Sequence, residues 1–331
     1  MKPIIGCRKI LSPVAAGILL FIAGCGGEPK TPLRVGINAW PGYEFLFLAQ
    51  EKGFYRDEGV DVRILEFNSL SDARRSYERG QIDGFGTTVI EVLQAREFSK
   101  RSPQIVQILD SSDGADMVIT QTAIKNAASL RGKRVGVELG SLGIYILARC
   151  LDKHGLKLGD VTTISSDQIS MEKDFLEGTI DAIVTYPPTS IKLINSQKAY
   201  PFFTTAEIPG EVVDIIAIEE EVTRQRSGDV AKLIRAYHRA VDYSKQNPGD
   251  AYRIMAAREG LTPEEFAVAL KDGIRLIPPS GQAEYFGASG KLSRIINTSD
   301  QVLRLSGQIK GSDRRAAIAN PDFAQMDHPS P

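Results

Sequence analysis

Acidic side chains recur where this chain turns. Glu44, Asp110, Asp113, Asp116, Glu138 and Asp214 all lie in short motifs between regular elements, and those motifs contain no Lys or Arg. A strongly anionic ligand meets repulsion from such a set unless the carboxylates point away. An amine-bearing or zwitterionic molecule instead supplies the partner that a buried carboxylate requires. For Asp214 two readings stand side by side: it receives the cationic group of a ligand, or it only hydrogen-bonds backbone. Aromatic and hydroxyl groups accompany the acids. Trp40, the only tryptophan, and Tyr43 sit in the turn Trp40-Pro-Gly-Tyr43, and Tyr186 precedes a Pro-Pro pair that cannot continue a central strand. Gly140-Ser141-Leu142-Gly143 opens a helix that runs past Tyr145. Its amides and the Ser141 hydroxyl either hold an oxyanion or simply cap the helix. Thr87 and Thr88 pose the same choice between ligand donor and cap.

Covalent and metal chemistry find little support. His154, His238 and His328 are widely separated, the cysteines form no ligand pattern, and no Gly-X-Ser-X-Gly elbow occurs. The stretch YFGASGKLS at 285–293 imitates a P-loop, yet Tyr285 stands where its first glycine belongs and Leu292 where its Ser/Thr belongs. Gly136-Val-Glu-Leu-Gly140 lacks the close glycine pair of a dinucleotide fingerprint. No cofactor and no metal are implied.

The elements that must position these groups repeat. Arg34-Val-Gly-Ile37 is echoed by Arg134-Val-Gly-Val137, and Arg79-Gly-Gln-Ile-Asp83 by Glu177-Gly-Thr-Ile-Asp181, about 100 residues later in both cases. Each copy reads strand, turn, helix, second strand (Val60 to Phe67; Val161 to Ser165), polar helix, Gly-X-Ile-Asp, third strand. Such alternation indicates βαβ units. Gly53 and Gly178 suit helix C-termini. Asp83 and Asp181 precede their strands, at the end away from a ligand, and read as structural. Beyond the repeat, Val213 to Ile218 reads as a strand and Glu220 to Gln246 as one long helix stopped by Asn247-Pro248. Thr262 is expected to cap a helix from Pro263, and Leu292 to Leu305 to form a last helix before a loose tail from about Lys310.

In parallel α/β sheets ligands settle beyond the carboxyl ends of the strands. Four such junctions occur here: 38–44, 86–88, 138–145 and 185–188. If two lobes face one another, all four line one cleft. Trp40 then forms a wall of it rather than a plug of the core, because the Pro-Gly turn sets the ring at a strand's exit.

The chain opens with Lys2, Arg8 and Lys9, then a mostly apolar run from Ile10 to Ala23 that Ser12-Pro13 interrupts. This predicts a secretion signal over 1–24 and a polar tether over 25–32. The run is shorter than the roughly 20 residues a membrane-spanning helix needs. With 42% hydrophobic and 24% charged residues the composition is that of a globular protein. Removing the three basic residues of the signal takes the formal charge from −1 to −4, which argues against nucleic acid as a partner. Cys150, in an apolar helical pattern, is expected to be buried and without a disulfide.

NAWPGYEFLFLAQEKGFYRDEGVDVRILEF, RGQIDGFGTT, LDSSDGADMVIT, SLRGKRVGVELGSLGIYILARCL and IPGEVVDIIAI resemble the nitrate/sulfonate/taurine group of ABC-transporter substrate-binding proteins, over roughly residues 33–300. The resemblance implies an α/β fold of the type II periplasmic binding kind, each lobe a mostly parallel sheet flanked by helices. Lobe 1 would take 33–112 and 216–305, lobe 2 113–215, with a C-terminal tail at 306–331. Crossing segments would lie near Asp110 to Asp116 and Glu211 to Ile215. The implied function is capture of a small molecule, aminosulfonate-like among the amines, by lobe closure. A monomer without enzymatic activity would then deliver it to the permease and ATPase of an ABC importer. Ile22-Ala-Gly-Cys25 resembles a bacterial lipobox, so Cys25 would be lipidated and hold the protein to the membrane on its periplasmic or cell-surface side. In taurine-binding relatives the acidic residue matching Asp214 receives the ligand's ammonium. The expected ligand set is Trp40, Tyr43, Glu44, Thr87, Thr88, Asp113, Ser141, Leu142, Tyr145, Tyr186 and Asp214. Two other uses of the fold remain: the input of a membrane sensor, and a pyrimidine synthase of the thiamine pathway. Those synthases carry a cysteine-rich motif that this chain lacks, and they act inside the cell.

Overall fold

The computed structural model describes residues 31–121, 127–196, 199–287, 289–311 and 317–324. The signal, Cys25, most of the tether and His328 lie outside the described residues. Eleven strands follow in chain order among the described residues: β1 (Leu33–Ile37), β2 (Val62–Glu66), β3 (Gly84–Thr88), β4 (Pro103–Ser112), β5 (Met117–Thr120), β6 (Arg134–Val137), β7 (Thr162–Ser165), β8 (Ala182–Thr185), β9 (Tyr200–Thr204), β10 (Val213–Glu219) and β11 (Ile274–Leu276).

They build two sheets, of order β11-β4-β10-β3-β1-β2 and β7-β6-β8-β5-β9. The sequence repeat is visible in the pairing. β1 lies parallel between β2 and β3, and β6 parallel between β7 and β8. Strands next to the two crossings run the other way: β10 is antiparallel to β3 and β4, and β5 to β8 and β9. Each sheet is therefore mixed where a mostly parallel one was expected, because a chain that passes from one lobe to the other re-enters its sheet in the opposite sense. The repeated Arg and Asp hold equivalent places. Arg34 donates to Asp83 with Nε at 3.1 Å, and Arg134 to Asp181 with Nε at 3.0 Å, pinning each first strand to the start of its third.

The helices are α1 (Glu44–Glu51), α2 (Phe54–Asp57), α3 (Leu70–Glu78), α4 (Val89–Phe98), α5 (Leu142–Lys153), α6 (Gln168–Leu176), α7 (Thr189–Asn195), α8 (Glu220–Gln225), α9 (Ser227–Gln246), α10 (Pro248–Glu259), α11 (Pro263–Gly273), α12 (Ala283–Phe286) and α13 (Lys291–Leu305). Gly53 and Gly178 follow α1 and α6 with φ of 74° and 77°, the left-handed backbone that ends a helix with least strain in glycine. Thr262 caps α11, accepting from Glu265 N–H at 3.2 Å while Glu265 accepts from Thr262 N–H at 2.9 Å. The long helix expected over 220–246 is two. Arg226 leaves helical geometry (φ −128°, ψ 33°) just before Ser227-Gly228, a pair with weak helix propensity. Beyond it α9 buries Val230, Leu233, Ile234 and Tyr237, the last edge-on to Phe45 of α1 at 6.0 Å.

Residues 318–323 are not loose, contrary to the expectation for the tail. β11 covers only Asp110 to Ser112 of β4. Ile105 farther along that strand donates its N–H to the Ile318 carbonyl at 2.7 Å and accepts from Asn320 N–H at 2.9 Å, and Phe323 is buried beneath. A strand whose backbone groups would otherwise stay unpaired is thus completed by the tail.

Candidate ligand-binding cleft

The carboxyl ends of β1, β6 and β8, with the first crossing, converge on one small cavity. It is lined by Asn38, Trp40, Tyr43, Leu70, Asp116, Leu142, Tyr186 and Asp214, and its volume of about 10 Å³ is that of a closed, side-chain-filled site. Trp40, Tyr43 and Asp214 come from the first sheet and Leu142 and Tyr186 from the second, so the walls belong to both; Asp214, expected at the end of the second lobe, already lies in β10 of the first sheet. The Trp40 and Tyr186 rings meet edge to face at 6.1 Å across it, and Asn38 Nδ2 donates to the Tyr186 hydroxyl at 3.4 Å. Side chains of opposite lobes thus touch across the cavity.

Among the described residues no Lys, Arg or His lines this cavity, whereas two carboxyl groups do. Asp214 stands opposite Asp110 in the β10–β4 pairing and accepts from the Tyr43 hydroxyl. Trp40 Nε1 donates to Asp110 Oδ2 at 3.4 Å. Asp116 Oδ2 and Asn38 Oδ1 are buried without a hydrogen-bond partner among the described residues, and Asp214, whose Oδ2 no donor of another residue type reaches, hydrogen-bonds Asp110 when one of the two carboxyls is protonated. Unsatisfied buried acceptors of this kind are costly, and a donor between them recovers that cost.

Burial pushes the carboxyls of Asp110 and Asp116 up to about 7. Asp214 is raised well above the usual carboxylate range, first by burial and then by the charges of Asp110 and Asp116. The native protein therefore binds protons that the unfolded chain, titrating near 4, has already released. That stability is fully present below the unfolded value and is lost as pH rises through about 7. A melting temperature several degrees lower at pH 8.5 than at pH 5.5 is the expected result of scanning calorimetry. A rise over that interval would mean that these groups are ionised in the folded protein.

Other expected site residues are engaged elsewhere. Glu44, fully buried, accepts from Arg258 at 2.7 and 3.1 Å on the face of α1 turned toward α10. Asp113 lies outside the cavity, where Arg275 Nε donates to it at 2.6 Å. The Tyr145 hydroxyl donates to Glu211 Oε2 at 2.7 Å, a carboxylate also held by Arg149. Ser141 caps α5, accepting from Gly143 N–H at 3.4 Å and donating to the Glu138 carbonyl. Thr87 and Thr88 give their hydroxyls to Glu91 Oε2 at 3.1 and 2.6 Å. Sequence reasoning passed over Leu70 and the neighbouring Glu91, and left Asn38 and Asp116 out of the ligand set although both lay in its junction and crossing motifs. Leu70 follows β2, itself a parallel strand with a carboxyl end, and Thr88-X-X-Glu91 has the spacing of a capping box.

The family model described as NMT1/THI5 like matches residues 40–251. A Brucella abortus protein named as a binding protein is 27% identical over 312 residues, 86% of this chain and 94% of that one. The 4-amino-5-hydroxymethyl-2-methylpyrimidine phosphate synthase THI13 of Saccharomyces cerevisiae is 22% identical, over 63% of this chain and 65% of that one. Among solved structures, the alkanesulfonate-binding protein SsuA from Xanthomonas axonopodis pv. citri bound to MOPS superposes with a TM-score of 0.73 at 17% identity, covering 89% of this chain and 99% of that one. The periplasmic aliphatic sulphonate binding protein SsuA from Escherichia coli gives 0.69 at 14% identity, over 88% of this chain and 91% of that one. These likenesses show the fold, the two-lobed α/β architecture of periplasmic binding proteins. The family match runs from the Trp40 turn through the second sheet and into α10, and on that span the chain belongs to the NMT1/THI5-like family.

Proposed function

We propose that this chain is the extracytoplasmic solute-binding component of an ABC importer, anchored through a lipidated Cys25, and that it captures a small amine-bearing or zwitterionic molecule between its lobes. The observation that carries the reading is the cavity itself. Its aromatic walls Trp40, Tyr43 and Tyr186 surround Asp116, one of whose oxygens has no partner, and Asp214, which meets only the Tyr43 hydroxyl and a second carboxyl, and among the described residues no basic side chain lines it. A cation gains there from carboxylates in a low dielectric and from ring faces. The solved sulfonate-binding neighbours support the architecture, while the acidic lining favours an aminosulfonate or another amine over a plain sulfonate. Trp40, Tyr43, Asp214 and Tyr186 contact the ligand in this reading; Leu142 closes the second-lobe side.

The same cleft would serve a membrane sensor. A synthase of the THI13 kind is a further use of the family, but the Brucella binding protein matches this chain over more of both lengths. Solution titration discriminates among ligands. Calorimetry of the purified protein with taurine, choline, 4-amino-5-hydroxymethyl-2-methylpyrimidine, ethanesulfonate and nitrate is expected to give micromolar binding for at least one amine. Small-angle scattering should show compaction with that amine, as hinge closure requires. Tight binding of nitrate or ethanesulfonate, with every amine silent, would overturn the ligand class.

A further inference from the structure

The cleft contains two helix N-termini of the kind that hold oxyanions, and the protein's own carboxylates fill both. At the start of α5, Leu142 N–H donates to Glu91 Oε1 at 2.7 Å. The other oxygen of Glu91 accepts from the Thr87 hydroxyl at 3.1 Å, Thr88 N–H at 3.1 Å and the Thr88 hydroxyl at 2.6 Å. Glu91 is fully buried, so four donors close around one carboxylate. At the start of α3, Ser71 donates to Glu138 Oε1 through its N–H at 3.1 Å and its hydroxyl at 2.8 Å. Both pairs reach across the cleft. Glu91 belongs to α4 on the first lobe and Leu142 to the second, while Glu138 follows β6 of the second lobe and Ser71 belongs to the first.

We propose that Glu91 and Glu138 are resident anions that occupy the cleft's two oxyanion seats and thereby set its preference for cationic ligands. The inference rests on the binding reading above and adds the device that enforces its charge. Partial positive charge at a helix N-terminus favours an anion there, and each seat can be filled only once. A ligand sulfonate must therefore displace a tethered carboxylate or lie beside it. A local cap explains only part of the Glu91 geometry. Oε2 serves the N-terminus of its own helix, but Oε1 bonds a residue 51 positions away on the other lobe.

Glu91→Ala should leave a carboxylate-sized space ringed by the Leu142, Thr87 and Thr88 donors. Formate, a free copy of the missing group, is expected to raise the melting temperature of that variant by several degrees and to leave wild type and Glu91→Gln unmoved, since Gln still fills the space. Methanesulfonate affinity measured by calorimetry should rise at least ~10-fold in Glu91→Ala, and Glu138→Ala should show a gain at the second seat, which keeps the test intact if one variant does not fold. A purely structural glutamate would lower stability without creating anion affinity. Folded Glu91→Ala and Glu138→Ala proteins that gain neither formate stabilisation nor methanesulfonate binding would overturn the proposal, with the wild-type titration panel still standing. Wild type that already binds methanesulfonate more tightly than the amines would overturn both.

Discussion

Asp214→Asn is expected to weaken binding of whichever amine the titration panel identifies by about 100-fold while leaving the fold intact or more stable. Removing one partner of a buried charged hydrogen bond costs about 2–5 kcal/mol, and 1.4 kcal/mol is tenfold in affinity. Asn keeps an acceptor for the Tyr43 hydroxyl, the contact that fixes this side chain in the protein. It also removes a carboxyl group which faces Asp110 across the strand pair. Burial and the neighbouring carboxyls oppose ionisation of Asp214, so replacing it by a neutral amide removes that penalty and should hold or raise the melting temperature, most clearly at high pH. Lower affinity with undiminished stability marks a residue kept for its ligand. An unchanged titration with a lower melting temperature would assign Asp214 to the backbone of the crossing alone.

The same balance sets a pH dependence for binding. Asp116, raised to about 7, and Asp214, held well above the usual carboxylate range by burial, must lose a proton to receive a cation, so amine binding releases protons and tightens as pH rises. Stability without ligand moves the other way. Opposite signs for affinity and stability distinguish ionisation in the cleft from a general effect of pH on the fold.

The repeat was the most legible feature of the sequence, and the reason is physical. A βαβ unit needs its glycines, its apolar strand and its anchoring Arg–Asp pair at fixed spacing, so two copies leave the same residues about 100 positions apart, and Arg34–Asp83 and Arg134–Asp181 are bonded alike. Strand-end positions were legible for the same reason: Trp40, Tyr43, Leu142 and Tyr186 all reach one cavity, where Asp214 joins them from the second crossing. Side-chain direction was not. Glu44 and Tyr43 are adjacent, yet successive helical positions point about 100° apart, and one meets Asp214 while the other meets Arg258. Thr87 and Thr88 were recognised as either caps or ligand donors, but their partner Glu91 could be placed in the cleft only once the lobes were seen to meet. Crossing direction, which makes the sheets mixed, depends on how two lobes pack and leaves no local periodicity to read.

Gly42→Ala is expected to abolish amine binding, by at least ~100-fold, and to cost about 1–3 kcal/mol of stability, the usual range for overpacking a close-packed site. Its backbone is not in the left-handed region, so any L-residue could adopt the turn. Space is what forbids a side chain. A Cβ on Gly42 would stand 1.9 Å from Asp110 Oδ2 and 2.9 Å from Trp40 Nε1, the two atoms that bond one another at the floor of the cleft. Neither can retreat cheaply, because Asp110 is fully buried beside Asp214 and Trp40 packs against Tyr186. Moving Trp40 removes a cavity wall; moving Asp110 disturbs the carboxyl that faces the ligand-binding one. Gly228→Ala provides the control, since a Cβ there meets nothing within 4 Å and sits in α9, where Ala is the better helix former by roughly 1 kcal/mol. Calorimetric titration and thermal melts of both variants give the answer: Gly228→Ala should bind as wild type and melt no lower. Wild-type affinity in Gly42→Ala would show that the Trp40–Asp110 contact is dispensable, and with it the view that the Trp-Pro-Gly-Tyr turn exists to build this wall.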